Sequence, residues 1–132
     1  MITQNELRKG NYLIDVSDMT GYVIKIEKVD EDGVFERSDD DPNDWGAFGY
    51  HEVDGIRLTK DILMKAGFKH HQSIYFDLQL GLYLWQVKLY DDGGFRLTVF
   101  MGDNSFVLGL YKYLHQLQNI IFSVSNDELK VW

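Results

Sequence analysis

Cysteine is absent from this 132-residue chain, and proline occurs once, at Pro42. Without thiols there is no disulfide, no thiolate nucleophile and no Cys-based zinc or iron–sulfur site, although missing cysteine does not assign a redox compartment. Long apolar runs are missing too. None approaches the roughly 20 residues that cross a bilayer, and the opening Met1-Ile2-Thr3-Gln4-Asn5-Glu6 lacks the basic-then-apolar order of a secretory signal. A soluble, cytoplasmic protein with no membrane partner is the expectation. Basic side chains are scarce, 13 Lys and Arg against 21 Asp and Glu, for a net charge of −8. That balance argues against direct nucleic-acid binding, which is driven by Lys and Arg neutralising phosphates, and basic partners fit better.

What is present suits one packed domain. Apolar residues make up 45% and aromatics 14%, enough for a core without metal or disulfide staples. We expect a single domain over residues 1–132, with a β-rich half at 1–57 and a second half at 58–132. The predicted fold class is α+β: a bent N-terminal antiparallel sheet, a connecting helix, and an antiparallel β-meander covered by a C-terminal helix. Thr3-Gln4-Asn5-Glu6 has the spacing of a capping box and predicts a short helical turn before Gly10. Extended runs follow at 12–16, 22–29 and from Val34, separated by Ser17-Asp18-Met19-Thr20-Gly21 and Asp32-Gly33, with a further strand over 47–53.

The middle of the chain carries start and stop signals for a helix, Thr59 as N-cap and Gly67 as the left-handed terminator, with Leu58 stapled to Leu63. Alternation of Ile74, Phe76, Leu78 and Leu80 predicts a half-buried strand, and 82–90, 95–101 and 105–108 complete a meander. Tyr83, Trp85, Val87 and Leu89 share one face of it. Leu110, Tyr113, Leu114, Leu117, Ile120, Ile121 and Val124 recur at spacings of three and four, the stripe of a helix of about 14 residues. Leu129-Lys130-Val131-Trp132 is expected to add a terminal strand or tuck Trp132 into the core.

Charge is concentrated in residues 30–44, where Asp30, Glu31, Asp32, Glu36, Asp39, Asp40, Asp41 and Asp44 are offset only by Arg37. Such a block repels itself and invites a positive surface or a cation. Asp39, Asp41 and Asn43 reproduce the first three ligand positions of an EF-hand loop. The sixth position is Asp44 instead of glycine and the twelfth Tyr50 instead of glutamate, so no metal is assigned. The candidate partner-binding residues are Asp39, Asp40, Asp41, Asp44 and the adjoining Trp45, an aromatic flanked by charge of the kind that anchors interfaces.

Catalytic patterns are wanting. His51, His70, His71 and His115 form no His-Glu-x-x-His or i,i+4 pair, and no serine stands in a Gly-x-Ser-x-Gly or Ser-x-x-Lys setting. Gly93-Gly94 follows two aspartates, a hairpin turn in place of a phosphate cradle. No catalytic residue and no cofactor is assigned, and no enzyme is expected.

Three segments together, Ile2-Thr3-x-Asn5-Glu6-Leu7-Arg8-x-Gly10-Asn11, Leu58-Thr59-x-x-Ile62-Leu63-x-x-x-Gly67-Phe68 and Tyr113-Leu114-His115-Gln116-Leu117-Gln118-Asn119 with Phe122, resemble a family of small uncharacterised proteins of bacterial prophages and mobile elements. The acidic loop is longer and more charged here than in the family pattern. The resemblance implies a genomic context in which small proteins bind host proteins, including nucleases of host defence. Joined to the acidic block and Trp45, it leads to the expectation of a non-enzymatic inhibitor that binds a basic bacterial protein, such as a nucleic-acid-guided nuclease of the CRISPR type. The competing expectation is a small-ligand or nucleotide-binding domain with a pocket lined by Tyr50, Tyr75, Trp85 and Arg96.

Overall fold

The computed structural model describes residues 2–17, 19–38, 40–41 and 43–132. It divides the chain into two compact units, Met1–Ile56 and Arg57–Trp132. The class is α+β, with antiparallel sheets throughout and one main C-terminal helix. Among the described residues no helix is long and apolar enough to cross a membrane.

The first unit opens with a 3-10 turn, Gln4–Glu6, in which the Glu6 carboxylate accepts the Thr3 backbone N–H at 2.9 Å and the Thr3 hydroxyl at 3.2 Å. The expected capping box pairs Thr3 with Glu6, and the Glu6 amide also donates to the Thr3 carbonyl at 3.1 Å. Six short strands follow, β1 (Tyr12–Asp15), β2 (Val23–Lys25), β3 (Lys28–Val29), β4 (Val34–Arg37), β5 (Trp45–Phe48) and β6 (Val53–Gly55). They form two three-stranded sheets, ordered β2-β1-β6 and β3-β4-β5.

The expected strand over 22–29 is thus two strands on two sheets, and the hand-over lies at Ile26 and Glu27. The Ile26 amide donates to Asn11 O at 2.9 Å, beside β1, while the next amide, of Glu27, donates to Phe35 O of β4 at 2.8 Å. Passing a chain between sheets at a bend lets both present one face to a common core. That core comprises Ile2, Leu13, Ile24, Ile26, Val34 and Val53, with Leu7, Val29, Phe48 and Tyr50 packed against it. The expected strand over 47–53 is likewise interrupted, by a 3-10 turn at Tyr50–Glu52, so that β5 and β6 also belong to different sheets.

In the second unit, helix α1 (Lys60–Lys65) begins where Thr59 Oγ1 accepts the Ile62 amide at 3.2 Å. It ends at Gly67, whose φ of 99° allows the Phe68 amide to return to Leu63 O at 3.0 Å. Five strands follow in simple meander order: β7 (Lys69–His71), β8 (Tyr75–Leu80), β9 (Tyr83–Leu89), β10 (Phe95–Met101) and β11 (Asn104–Tyr111). One sheet face, carrying Phe76, Trp85, Val87, Phe95, Leu97 and Val99, is buried under the C-terminal helix α2 (Leu114–Ser125), which contributes the buried Leu114, Leu117 and Ile121.

Several expectations need correction here. Strand β7 carries no apolar alternation and was invisible to a periodicity argument. Leu110 belongs to β11 and not to the helical stripe, since that strand continues to Tyr111 and α2 starts only after Tyr113. Trp132 is exposed, with the Lys65 ammonium 5.8 Å from its ring centroid, while Leu129 is the terminal residue that enters the core.

Leu117 is sealed from solvent, so Leu117→Ala should cost about 2–5 kcal/mol of stability through lost burial and the cavity left behind. Gln116 acts at the helix start instead, its Oε1 accepting the Lys112 amide at 2.9 Å and the Tyr113 amide at 3.0 Å. Gln116→Ala should therefore cost about 1 kcal/mol, the usual worth of a cap. Urea titrations of the two variants measure the contrast.

Candidate functional site

Charge is divided unevenly between the units. Fourteen carboxylates and five basic side chains lie in Met1–Ile56, leaving −9, while seven and eight lie in Arg57–Trp132, leaving +1. The candidate surface is the β3-β4-β5 sheet of the first unit, with register Lys28↔Phe35, Phe35↔Ala47 and Arg37↔Trp45.

Folding splits the acidic block in two. Asp30, Glu31 and Asp32 occupy the β3–β4 turn, whereas Asp40, Asp41 and Asp44 occupy the β4–β5 loop at the opposite end of β4. Asp39 lies outside the described residues. Four strand residues set the ends about 13 Å apart, beyond the screening length of about 8 Å at physiological salt, so the clusters repel each other only weakly.

The turn is held by its own chemistry. Asp30 Oδ1 accepts the amides of Asp32 at 2.8 Å and Gly33 at 3.3 Å, and Oδ2 lies 3.8 Å from Lys28 Nζ. The Tyr50 hydroxyl donates to Asp30 O. Gly33 is required by close approach, because a Cβ there would lie 2.1 Å from Phe48 O. Burial raises the Tyr50 phenol above its ordinary pKa of 10.0, and the negative charges of Asp30 and Asp32 raise it further.

Cations near the hairpin are already engaged. The Arg37 guanidinium lies 4.7 Å from the Trp45 ring centroid and 3.9 Å from Glu27 Oε1, which also takes Lys9 at 3.1 Å. Lys28 lies over Phe35 at 5.2 Å. Glu36 accepts the Tyr22 hydroxyl at 2.5 Å. The β4–β5 loop is shaped by backbone bonds, Ser38 N to Asp44 O at 2.9 Å and Asp44 N to Asp41 O at 3.0 Å, and by the Asn43 amide on Asp41 Oδ1 at 2.9 Å. Among the described residues no cation lies within ion-pair distance of Asp40, Asp41 or Asp44. All three are exposed, and Trp45 is 41% exposed.

The structure therefore brings Asp40, Asp41, Asp44 and Trp45 together on one hairpin. Arg37 on Trp45 and Tyr22 on Glu36 complete its surroundings and were not among the sequence candidates. Hairpin register would have paired Arg37 with Trp45, but nothing local announces the Tyr22–Glu36 contact across 14 positions.

The other candidates fall differently. Trp85 is sealed inside the second unit, and Tyr50 is committed to the acidic turn of the first. An open groove of about 500 Å³ does exist in the second unit, lined by Tyr90, Asp91, Phe95, Leu110, Tyr111 and Lys112 among others. None of Tyr50, Tyr75, Trp85 and Arg96 lines it. His71 Nε2 lies 2.8 Å from Asp77 Oδ2, His70 Nε2 contacts Ser73 O at 2.5 Å, and His115 is buried with its ring stacked 5.7 Å from Tyr113. Among the described residues no three His, Asp or Glu side chains converge as metal ligands.

Compared with known proteins, the chain matches no family model, no curated protein and no solved structure.

Because the folded Tyr50 pKa is raised above that of the unfolded chain, the neutral phenol's contribution is fully present below about pH 10 and is lost as pH rises through the folded value. Thermal melts from neutral to strongly alkaline pH should show the wild type losing stability more steeply than Tyr50→Phe. Parallel curves would exclude the phenol as the titrating group.

Proposed function

We propose that the chain is a non-enzymatic protein-binding inhibitor from a phage or mobile element. Its target class is a basic, nucleic-acid-handling bacterial protein such as an RNA-guided defence nuclease, and loop 38–44 is the contact. The observation that carries this reading is local. Asp40, Asp41 and Asp44 are exposed on a shaped loop with no cation within ion-pair distance among the described residues, while Arg37 is engaged by Trp45 and Glu27. Uncompensated charge of one sign steers a partner of the other sign and accelerates encounter. The stacked Trp45 and Arg37 supply a planar apolar surface beside the acids, a combination common at the centre of interfaces. The likeness to mobile-element proteins supplies the choice of host target.

The groove beside Tyr90 and Tyr111 supports a second reading, a small-ligand domain. It weighs less because ligand sites enclose most of the ligand's surface, whereas this groove stands open to solvent.

The test is DNA cleavage by purified, guide-loaded nucleases with and without the protein, together with association rates at low and high salt. Inhibition that weakens with salt is expected. Replacing Asp39, Asp40, Asp41 and Asp44 by Asn should slow association by about tenfold or more at low salt and flatten its salt dependence. Equal rates for the two proteins would remove the loop from the mechanism.

A further inference from the structure

Sheet edges are open rows of N–H and C=O groups that template pairing with another chain, and folds guard them with short strands, charge, proline or cover. The β7 edge is guarded. It has three residues, Lys69, His70 and His71, and His71 is paired with Asp77 at 2.8 Å. The β11 edge is long and uncharged. Asn104–Tyr111 is eight residues, about 26 Å, with no charged residue and no proline. Phe106 is 53% exposed, Val107 64% and Leu110 72%.

We propose that residues 105–107 of β11 pair antiparallel with the same residues of a second copy of this chain, about a two-fold axis at Phe106. The segment follows from the register. Gly109 pairs with Leu97 and Val107 with Thr98, so Leu108 is bulged out, and the unbroken stretch is the four residues opposite Thr98, Val99, Phe100 and Met101. The axis follows from alternation. A two-fold normal to the sheet must set side chains of one face opposite each other, so it passes through a residue pair and not between pairs. Phe106 then meets its own copy as a cross-strand aromatic pair, and Val107 lies opposite Ser105.

Charge selects the occupant. A cationic or anionic strand gains nothing from this neutral edge, while two copies meet there without like-charge contact across the seam. Phe106 and Val107 offer about 200 Å² of exposed side chain per copy, well below a standard interface even with the backbone added, so the dimer is weak and concentration-dependent. Each copy carries −8, so salt should tighten this dimer by screening, the opposite sign to binding through the acidic loop.

Sedimentation of the intact protein across a concentration series up to about 500 μM, at low and high salt, should show a monomer–dimer equilibrium that is tighter at high salt. Val107→Lys should weaken it by about tenfold or more, whereas Leu82→Lys, at a position 81% exposed in the β8–β9 turn, should leave it unchanged. The chain has no cysteine, so Phe106→Cys should give an oxidised cross-linked dimer and Leu82→Cys should not, whatever the fate of the lysine variants. A monomer at every concentration without cross-linking overturns the proposal and leaves the edge to a strand of another protein. A dimer unmoved by a folded Val107→Lys, or no cross-link at Phe106, overturns it as well.

Discussion

Like charges that are neighbours along the chain are kept apart by the four residues of β4. Eight carboxylates within fifteen positions would repel one another strongly if the segment collapsed into one patch. Antiparallel pairing of β4 with β3 and β5 sends one group to each end of the sheet, more than a screening length apart, where repulsion between them is weak. Within each cluster the fold treats the acids differently. At the β3–β4 turn, Asp30 is spent on local amides and Lys28, and its carbonyl takes the Tyr50 hydroxyl. At the β4–β5 loop, the backbone shapes the turn and the carboxylates face solvent.

That difference separates acids whose side chains build the turn from acids left exposed on the loop. The turn needs Asp30 to close, and its geometry is further fixed by the contact of Gly33 with Phe48 O. The loop is held by backbone bonds, by Ser38 Oγ on the Asp40 amide and by the Asp41 side chain on Asn43, so among the described residues the Asp40 and Asp44 carboxylates add charge that these bonds do not use. The hairpin's aromatic pairs point the same way. Arg37 on Trp45 and Lys28 on Phe35 settle the positive charges on ring faces, where each contact is worth about 0.5–1 kcal/mol at an exposed site, and they leave the loop acids unneutralised.

Much of the second unit was legible in the sequence because its signals are local. Thr59 and Gly67 mark α1 by capping chemistry, and Leu114, Leu117 and Ile121 mark α2 by helical period. The alternation around Phe76, Trp85 and Leu97 marks the meander. Two failures have one cause. Strand β7 reads Lys-His-His, and β11 extends through Leu110, because pairing to a neighbouring strand decided both against periodicity. In the first unit, short strands and the switch at Ile26 and Glu27 depend on hydrogen bonds to residues far along the chain, which no local pattern records. The candidate acids stood out by composition alone. Their division into two clusters, and the engagement of Arg37 by Trp45, follow from hairpin register.

The most direct test is amide chemical-shift mapping of isotope-labelled protein titrated with a hexa-arginine peptide at low salt. Largest shifts at Asp40, Asp41, Asp44 and Trp45, with smaller ones at Asp30 and Asp32 and loss of both at high salt, are the expected result. Equal shifts at the two ends of β4, or none in the loop, would contradict the claim that the loop carboxylates are the uncompensated charge.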